Sequence, residues 1–535
     1  MTNFGILDWS IVGGYMAFAL IMGIVLSRRV KTAEHYYLGE RNLPWWAVGF
    51  SVIATYVGAL AFLGGPAWSY TDGFAVIFIH INYPIAVFVV VSVFLPFFYN
   101  SGVASIYDYL ENRFGVRSRT LMSGIFLFGN IAYSGIMLYT TALMLQFITG
   151  IDVVAAILII AAVALAYTTL GGITAVIWTD VAQVLILLVG LFVILYQLIG
   201  HLPDGLAGSL SQLKAEGLTD PFNFSMDPSL VATVWTGIVA MSIYHVVVYG
   251  VNQMMIQRTL TAASIGDAKK SYIMMGYCSV LIFILLFLIG ILLNSYFQGR
   301  EFENGNTIIL EFIAVVGVPG LMGIITAAVV AAAMSSLDSS LNSMATVTTL
   351  DFYQQFFKKD GSPAHYLKAT RLFTIAWGVI IVIPAIIFIK SDGSVLEILS
   401  KIGSFLVGAK LSSYGLGFFS KHTTERGLLV GVVIGFLSLW ALETYADVAW
   451  PWYCAIGGIV SVVFGWGASV VLDGWQEEYH PYTIRGQAKL FAEENRPTMD
   501  KGWYLLPGKV DSKSWYLLWF FAGSLLVLYL IQKLI

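Results

Sequence analysis

The sequence predicts an all-α integral membrane protein of about fourteen transmembrane helices, on composition, the length of its apolar runs, and the placement of its basic residues. Of its 535 residues 58% are hydrophobic and only 11% charged, and the mean hydropathy is +0.81. Soluble domains carry about 25% charged residues, so this chain lacks the polar surface to face water on all sides. Its apolar residues fall in runs of about 20, the length that crosses a hydrocarbon core about 30 Å thick as a helix. Such runs favour helices over the alternating ten-residue strands of a barrel, the other structure that satisfies its own backbone in lipid.

In chain order the spans fall at residues 8–27, 46–66, 74–98, 120–148, 151–170, 173–199, 230–252, 272–296, 319–345, 371–389, 394–419, 427–444, 452–472 and 514–534. The first run has no basic residue ahead of it, has Arg28, Arg29 and Lys31 behind it, and lacks a small-residue cleavage site. It reads as a retained helix rather than a signal peptide. Alternating from an outside N-terminus, the inside segments are 28–45, 99–119, 253–271, 346–370, 420–426 and 473–513, with the short link near Gly171, and counting Arg371 at the edge of the fourth they hold 22 of the 28 basic residues. Cytoplasmic loops carry the excess of Lys and Arg, so the asymmetry supports the count and puts both termini on the extracytoplasmic side of an inner (plasma) membrane. The chain reads as one polytopic membrane domain, residues 1–535. Its longest inside loop, 473–513, is too short for a catalytic core.

Ionisable residues inside a span are costly and mark function by default. The candidates are His80, Asp180, His245, Asp338, Lys401 and Lys410. For the histidines, a hydrogen bond to a neighbouring helix is the competing role; for Lys401 it is snorkelling to the outer interface. Lys410 lies too deep to snorkel, so it needs a carboxylate, a carbonyl cluster or a solvated cavity. The ninth span holds AAVVAAAMSSLDSSLNSMATVTT from Ala327 to Thr349, small and hydroxylated almost throughout. Small residues and hydroxyls serve close helix packing, but they also suit a hard cation, which takes oxygen ligands. Ser335, Ser336 and Ser339 set several hydroxyls on one side of the helix. A break around Val57, Gly58 and Ala59 in the second span would free carbonyls to complete the shell, and Asp180 would add negative charge along the ion's exit. Cys278 and Cys454 sit inside apolar segments and read as small buried hydrophobes. No phosphate loop, HExxH, Cys/His metal spacing or GxSxG nucleophile motif is present, so no enzyme is predicted.

Four stretches carry a family resemblance. They are Tyr37 to Trp46 (YLGERNLPWW), Gly171-Gly172-Ile173 with Trp178-Thr179-Asp180-Val181-Ala182-Gln183, Asn252-Gln253 with Gln257-Arg258-Thr259-Leu260, and Ser335-Ser336-Leu337 with Asn342-Ser343 and Asp351-Phe352-Tyr353. In this order and spacing, over about residues 35–430, the chain resembles the sodium:solute symporter family, which includes the sodium/glucose, proline, pantothenate, iodide and sialic acid carriers. The resemblance implies a LeuT-like inverted repeat of five plus five helices, here residues 46–199 and 230–419, with one extra helix before and three after. It also implies alternating access around a midplane site.

Carried over by position, the resemblance puts the main sodium site on the carbonyls of Ala54, Val57 and Ala332 and the hydroxyls of Ser335 and Ser336. Asp180 falls where the family keeps an aspartate linked to ion release or a second sodium, and Asp338 and Ser339 stand where that second sodium's hydroxyls would be. Asp338 could instead bind a proton or pair with a lysine, which leaves stoichiometry open. Ala61, His80, His245 and Ser279 occupy the positions where sugar carriers have polar side chains, and the tenth core helix brings Lys401 and Lys410. Lysine and histidine without a free carboxylate suit an organic anion such as a small carboxylate better than a sugar. Phe62, Tyr83, Tyr133 and Tyr249 are the aromatic candidates to stack on or gate the solute. The expected function is sodium-coupled symport of a small organic solute, with Na+, the solute and the lipid bilayer as partners and no nucleic acid. The alternatives are proton coupling through Asp338 or Asp180 and, with less behind it, a membrane sensor.

Overall fold

The computed structural model describes residues 4–101, 104–389 and 395–534, without the side chains of 395–401 and 534. It is almost wholly helical; among the described residues the β structure is a ribbon pairing Met499–Asp500 with Trp503–Tyr504 and an isolated bridge between Leu43 and Ala262. Among the described residues ten helices are long and apolar enough to cross a membrane, or twelve when each of two bent pairs is taken as one span.

The membrane helices are α1 (Ile6–Ser27), the bent pair α2 (Trp45–Tyr56) and α3 (Ala59–Asp72), α4 (Phe74–Ser101), α5 (Val116–Thr149) and α6 (Val153–His201). A second bent pair follows, α7 (Thr236–Gly250) and α8 (Gln253–Thr259), then α9 (Ile265–Phe297) and α10 (Leu321–Phe357). The last five helices are α11 (Pro363–Phe388), α12 (Val395–Phe419), α13 (Glu425–Tyr445), α14 (Pro451–Asp473) and α15 (Trp515–Leu534), of which α12 is not counted in the twelve. Helix starts carry the expected caps: Asp152 accepts from Val154 N at 3.0 Å, and Ser264 accepts from Asp267 N at 3.1 Å.

The fifth and sixth sequence-predicted spans run together as the 49-residue α6. The joint is Gly172, at φ 57° and ψ −158°, and a Cβ there would lie 3.0 Å from Tyr36 Cδ2 and from the Tyr36 carbonyl. Only glycine meets both demands. The Tyr36 hydroxyl reaches Thr374 Oγ1 at 2.9 Å and the Thr168 carbonyl at 3.1 Å, tying the joint to α11.

The centre of the bundle is α10, 94% buried over its most apolar window, against 17% for the C-terminal helix and 22% for α11. It packs on α1, α2, α3, α5 and α6. A helix surrounded by protein has no use for large lipid-facing side chains, which explains its run of Ala, Ser and Thr. The pair α2/α3 lies along α9 on its other side, while α13 and α14 pair with each other and with α12.

Candidate functional site

The site is built around the break between α2 and α3, which differ in direction by 59°. The last ladder bond of α2 runs from Val57 N to Ile53 O at 2.8 Å. Val57 then leaves helical geometry (φ −83°, ψ 67°), Gly58 is extended (φ −82°, ψ −173°), and α3 begins without a side-chain cap. The carbonyls from Ala54 to Val57 are thereby released from the helix ladder. Facing them is α10: the Ser336 hydroxyl lies 3.4 Å from both the Thr55 and the Ala332 carbonyl oxygens. A Cβ on Gly58 would come within 2.7 Å of Ser336 Oγ, so the approach depends on glycine.

A small cavity of about 10 Å³ opens here, lined by Ile53, Ala54, Val57, Gln183, Val184, Leu187, Ala332 and Ser335. That volume admits the centre of one water-sized particle. Behind it lies a fully buried polar cluster. Asp180 accepts from Ser335 Oγ and Ser51 Oγ, each at 2.5 Å, and faces Arg258 Nη1 at 3.7 Å. Arg258 also donates to the Ser51 carbonyl at 2.9 Å and to Ser339 Oγ at 2.6 Å. Asp338 accepts from the Tyr167 hydroxyl at 2.5 Å and from Ser339 Oγ at 3.2 Å.

On the other side of the break, Thr55, Tyr56, Gly58 and Ala61 help to line a cavity of about 650 Å³. This lies within the range of small-molecule sites, about 300–1,000 Å³. Apolar walls come from Ile125, Phe126, Met137, Val248, Phe283 and Leu406; His80, Asn130, Tyr133, Tyr244, Asn252 and Asn306 add polar edges. No Asp or Glu is among the described residues of the lining, and its one cation is Lys410. Lys410 is 8% exposed, with Nζ 5.6 Å from the centre of the Phe126 ring, and no carboxylate lies within ion-pair distance among the described residues. The cavity extends past Trp68 to the exposed Thr71 and to Trp450.

Away from that mouth, α8 is clamped between layers. Gln257 Nε2 donates to the Tyr37 carbonyl and to Asn342 Oδ1, at 2.9 and 2.8 Å, and Gln253 bonds Ile106 N and the Ala104 carbonyl. Nearby, Arg119 gathers Asp108, Glu111 and the buried Asp351, the last at 2.5 Å. Burial pushes the Asp108 carboxyl up to about 7, against the pull of Arg119.

Of the expected cation positions, Ala54, Val57, Ala332 and Ser335 share the small cavity, and Ser336 sits on its rim of carbonyls. Asp180 contacts it through Ser335, whereas Asp338 and Ser339 are held in the cluster behind. Of the expected solute positions, His80, Tyr133 and Lys410 line the large cavity. Phe62, Tyr83, His245 and Tyr249 do not: each is fully buried beneath or beside it. His245 spends both ring nitrogens on Asn82 Oδ1 at 2.6 Å and the Tyr56 hydroxyl at 2.9 Å, the helix-joining role weighed for it in the sequence. Tyr83 holds His80 Nδ1 at 2.6 Å and packs edge-on against Tyr56 and Tyr249. Ser279 is buried off the cavity, Ala61 lines it, and the side chain of Lys401 lies outside what the structure describes. The sequence reading missed Ser51, Arg258, Gln183, Asn130 and Tyr244. For Gln183 and Arg258 the signal was at hand, since both are polar residues inside the matched stretches.

The profile of the sodium:solute symporter family matches residues 36–435. The sodium/sialic acid symporter SiaT of Proteus mirabilis is 31% identical over 478 residues, covering 86% of this chain and 95% of its own. The sodium/glucose cotransporter of Vibrio parahaemolyticus is 28% identical, covering 80% and 83%. Human sodium-coupled monocarboxylate transporter 2 is also 28% identical, covering 82% and 72%. Among solved structures, a substrate-bound outward-open state of a Na+-coupled sialic acid symporter superposes with a TM-score of 0.81 at 29% identity, over 88% of this chain and 98% of that one. The nucleobase-cation-symport-1 family transporter Mhp1, at a TM-score of 0.53 and 16% identity over 81% and 93%, shares the fold.

Proposed function

The chain belongs to the sodium:solute symporter family and is a multi-pass plasma-membrane, sodium-coupled symporter of a small organic solute; from that premise we propose that its solute is an organic anion held by Lys410. The observation that carries this is the unpaired Lys410 ammonium in a cavity whose described lining holds no carboxylate. A buried lysine without a counter-charge is costly, and a bound carboxylate supplies one. Relatives named for sialic acid and for monocarboxylates are consistent with an acidic solute.

Sodium binds, in this reading, between the carbonyls of Ala54, Val57 and Ala332 and the hydroxyls of Ser335 and Ser336. The support is that four of these five residues line one cavity of about 10 Å³ and the fifth contacts two carbonyls beside it. Asp180 lies behind as the negative charge met on release. His80 and Tyr133 border the solute, while Phe62, Tyr83, His245 and Tyr249 act from underneath as its packing. The ion belongs to two helices at once, α2 and α10, so it favours the state in which they touch. A ligand shifts an equilibrium only through such differential affinity.

For the architecture we propose fourteen spans, counting the two halves of α6 separately and adding α12. Residues 46–199 and 230–419 would be the inverted repeats, the two bent pairs opening them in equivalent positions. Segment 473–513 would be cytoplasmic and both termini extracytoplasmic, as the basic residues suggest.

Uptake into proteoliposomes tests the proposal, with labelled monocarboxylates, sugar acids and neutral sugars under separately imposed sodium and proton gradients. The expected outcome is sodium-driven uptake of an acid, reduced by a Lys410→Met change by about 2–5 kcal/mol in apparent affinity, the usual cost of breaking a buried charge pair. Preference for a neutral sugar, with Lys410→Met transporting like the unchanged protein, would overturn the anion assignment.

A further inference from the structure

We propose that the side-chain carbonyl oxygen of Gln183 is a direct ligand of the sodium ion, supplied by α6. Gln183 is 1% exposed and lines the small cavity opposite Ala54, Val57, Ala332 and Ser335. Its amide nitrogen donates to the Tyr15 hydroxyl of α1 at 2.8 Å. Its Oε1 is buried and has no hydrogen-bond partner among the described residues. A buried amide oxygen left unpaired is costly, and such an atom in a native core calls for an explanation.

The surroundings supply one. Hard cations take several oxygen ligands, amide carbonyls among them, and the proposed site offers three backbone carbonyls and two hydroxyls from α2 and α10 alone. A cation there would have no ligand on the α6 side, because Val184 and Leu187 are apolar and Asp180 is already engaged by Ser335, Ser51 and Arg258. Gln183 lies on the same helix three residues beyond Asp180, close to one turn. The Tyr15 bond holds the amide nitrogen towards α1, so the oxygen end is the one presented to the cavity. Gln183 thereby ties α6 and α1 to the ion, and occupancy of the site is felt by four helices rather than two.

The inference rests on the sodium-site reading given above, and the test separates the two. Thermal unfolding of the purified full-length protein is titrated with sodium chloride against choline chloride at constant ionic strength, without solute. A ligand that binds only the folded state raises the midpoint with its concentration. Gln183→Leu is expected to raise the half-saturating sodium concentration about tenfold or more, the worth of one hydrogen bond or contact to a charge. Gln183→Glu, which keeps the oxygen and the shape, retains the sodium response. Tyr15→Phe, which frees the amide to turn while leaving its oxygen in place, is expected to weaken the response less than Gln183→Leu does.

If Gln183→Leu titrates like the unchanged protein while Ser336→Ala loses its response, the sodium site stands and the Gln183 role falls. If both titrate like the unchanged protein, both fall together. A tighter response in Gln183→Leu would mean that the amide presents its NH2 to the cavity. That result overturns the proposal.

Discussion

The two broken helices turn through similar angles, 59° at Val57–Gly58 and 54° at Val251–Asn252, yet they dispose of their freed backbone in opposite ways. At the second break the following helix carries a side-chain cap, and the freed Tyr249 carbonyl accepts from the Tyr272 hydroxyl at 2.7 Å. Asn252 Oδ1 accepts from Met254 N at 3.1 Å, its carbonyl accepts from Met255 and Ile256 N at 3.0 Å, and α8 is clamped by Gln253, Gln257 and Arg258. At the first break α3 starts uncapped, and the side chain that meets the open carbonyls is a serine hydroxyl at a long 3.4 Å. A break that closes its own hydrogen bonds is scaffold. One that leaves carbonyl oxygens beside hydroxyls is a place for a cation to finish the structure.

The sharpest way to break this comparison is Ser336→Ala. Among the described residues the hydroxyl is the only side-chain group that meets the Thr55 and Ala332 carbonyls together. Its loss is expected to abolish sodium-dependent uptake in proteoliposomes, while gel filtration shows a protein still folded in detergent. Uptake at low sodium equal to that of the unchanged protein would place the cation elsewhere. Gly58→Ala probes the same contact more gently. A Cβ 2.7 Å from Ser336 Oγ must push that hydroxyl away. The backbone angles at residue 58 suit alanine, so the fold should tolerate the change. The half-saturating sodium concentration for uptake is expected to rise about tenfold, as when one charge-assisted contact is weakened.

The first break was legible in the sequence because Gly58 stands among small residues opposite a helix of hydroxyls, and both halves of that pattern lie on the line of the chain. The buried centre was legible in the same way: a helix as rich in Ala and Ser as α10 has no place against lipid. The partners of the break were not. Arg258 reads as the end of a loop motif, and only the 54° bend carries its guanidinium back between Ser51 and Ser339. The solute cavity was read poorly for a related reason. Successive helical residues point about 100° apart, so an alignment off by a small rotation exchanges lining for packing. Phe62 is buried one step from the lining residue Ala61, and Tyr83 lies three residues past His80 but under it. Tyr244 is a single polar residue on an otherwise apolar face, and Asn130 shares its face with Tyr133 and Ser134, whose hydroxyls read as packing. Lys410 stood out because its cost is set by depth alone, and depth is what a hydropathy pattern gives best.

Asn252→Ala sharpens the comparison from the scaffold side with the smallest expected effect. The change removes the acceptor for Met254 N, an N-cap bond worth about 1 kcal/mol, and leaves the backbone carbonyl of residue 252 with its two donors. Because α8 keeps its ties through Gln253, Gln257 and Arg258, the helix should hold its place and the protein should unfold at a slightly lower temperature. The half-saturating sodium concentration in that thermal titration, measured without solute, is expected to be unchanged, since no atom of Asn252 borders the small cavity. A sodium shift in Asn252→Ala as large as that of Gly58→Ala would mean that the two breaks are energetically one unit, with the clamp on α8 setting the position of the α2 carbonyls. Independence of the two shifts, tested by combining both changes in one protein and finding their free energies additive, would mean that the cation reports on the first break alone.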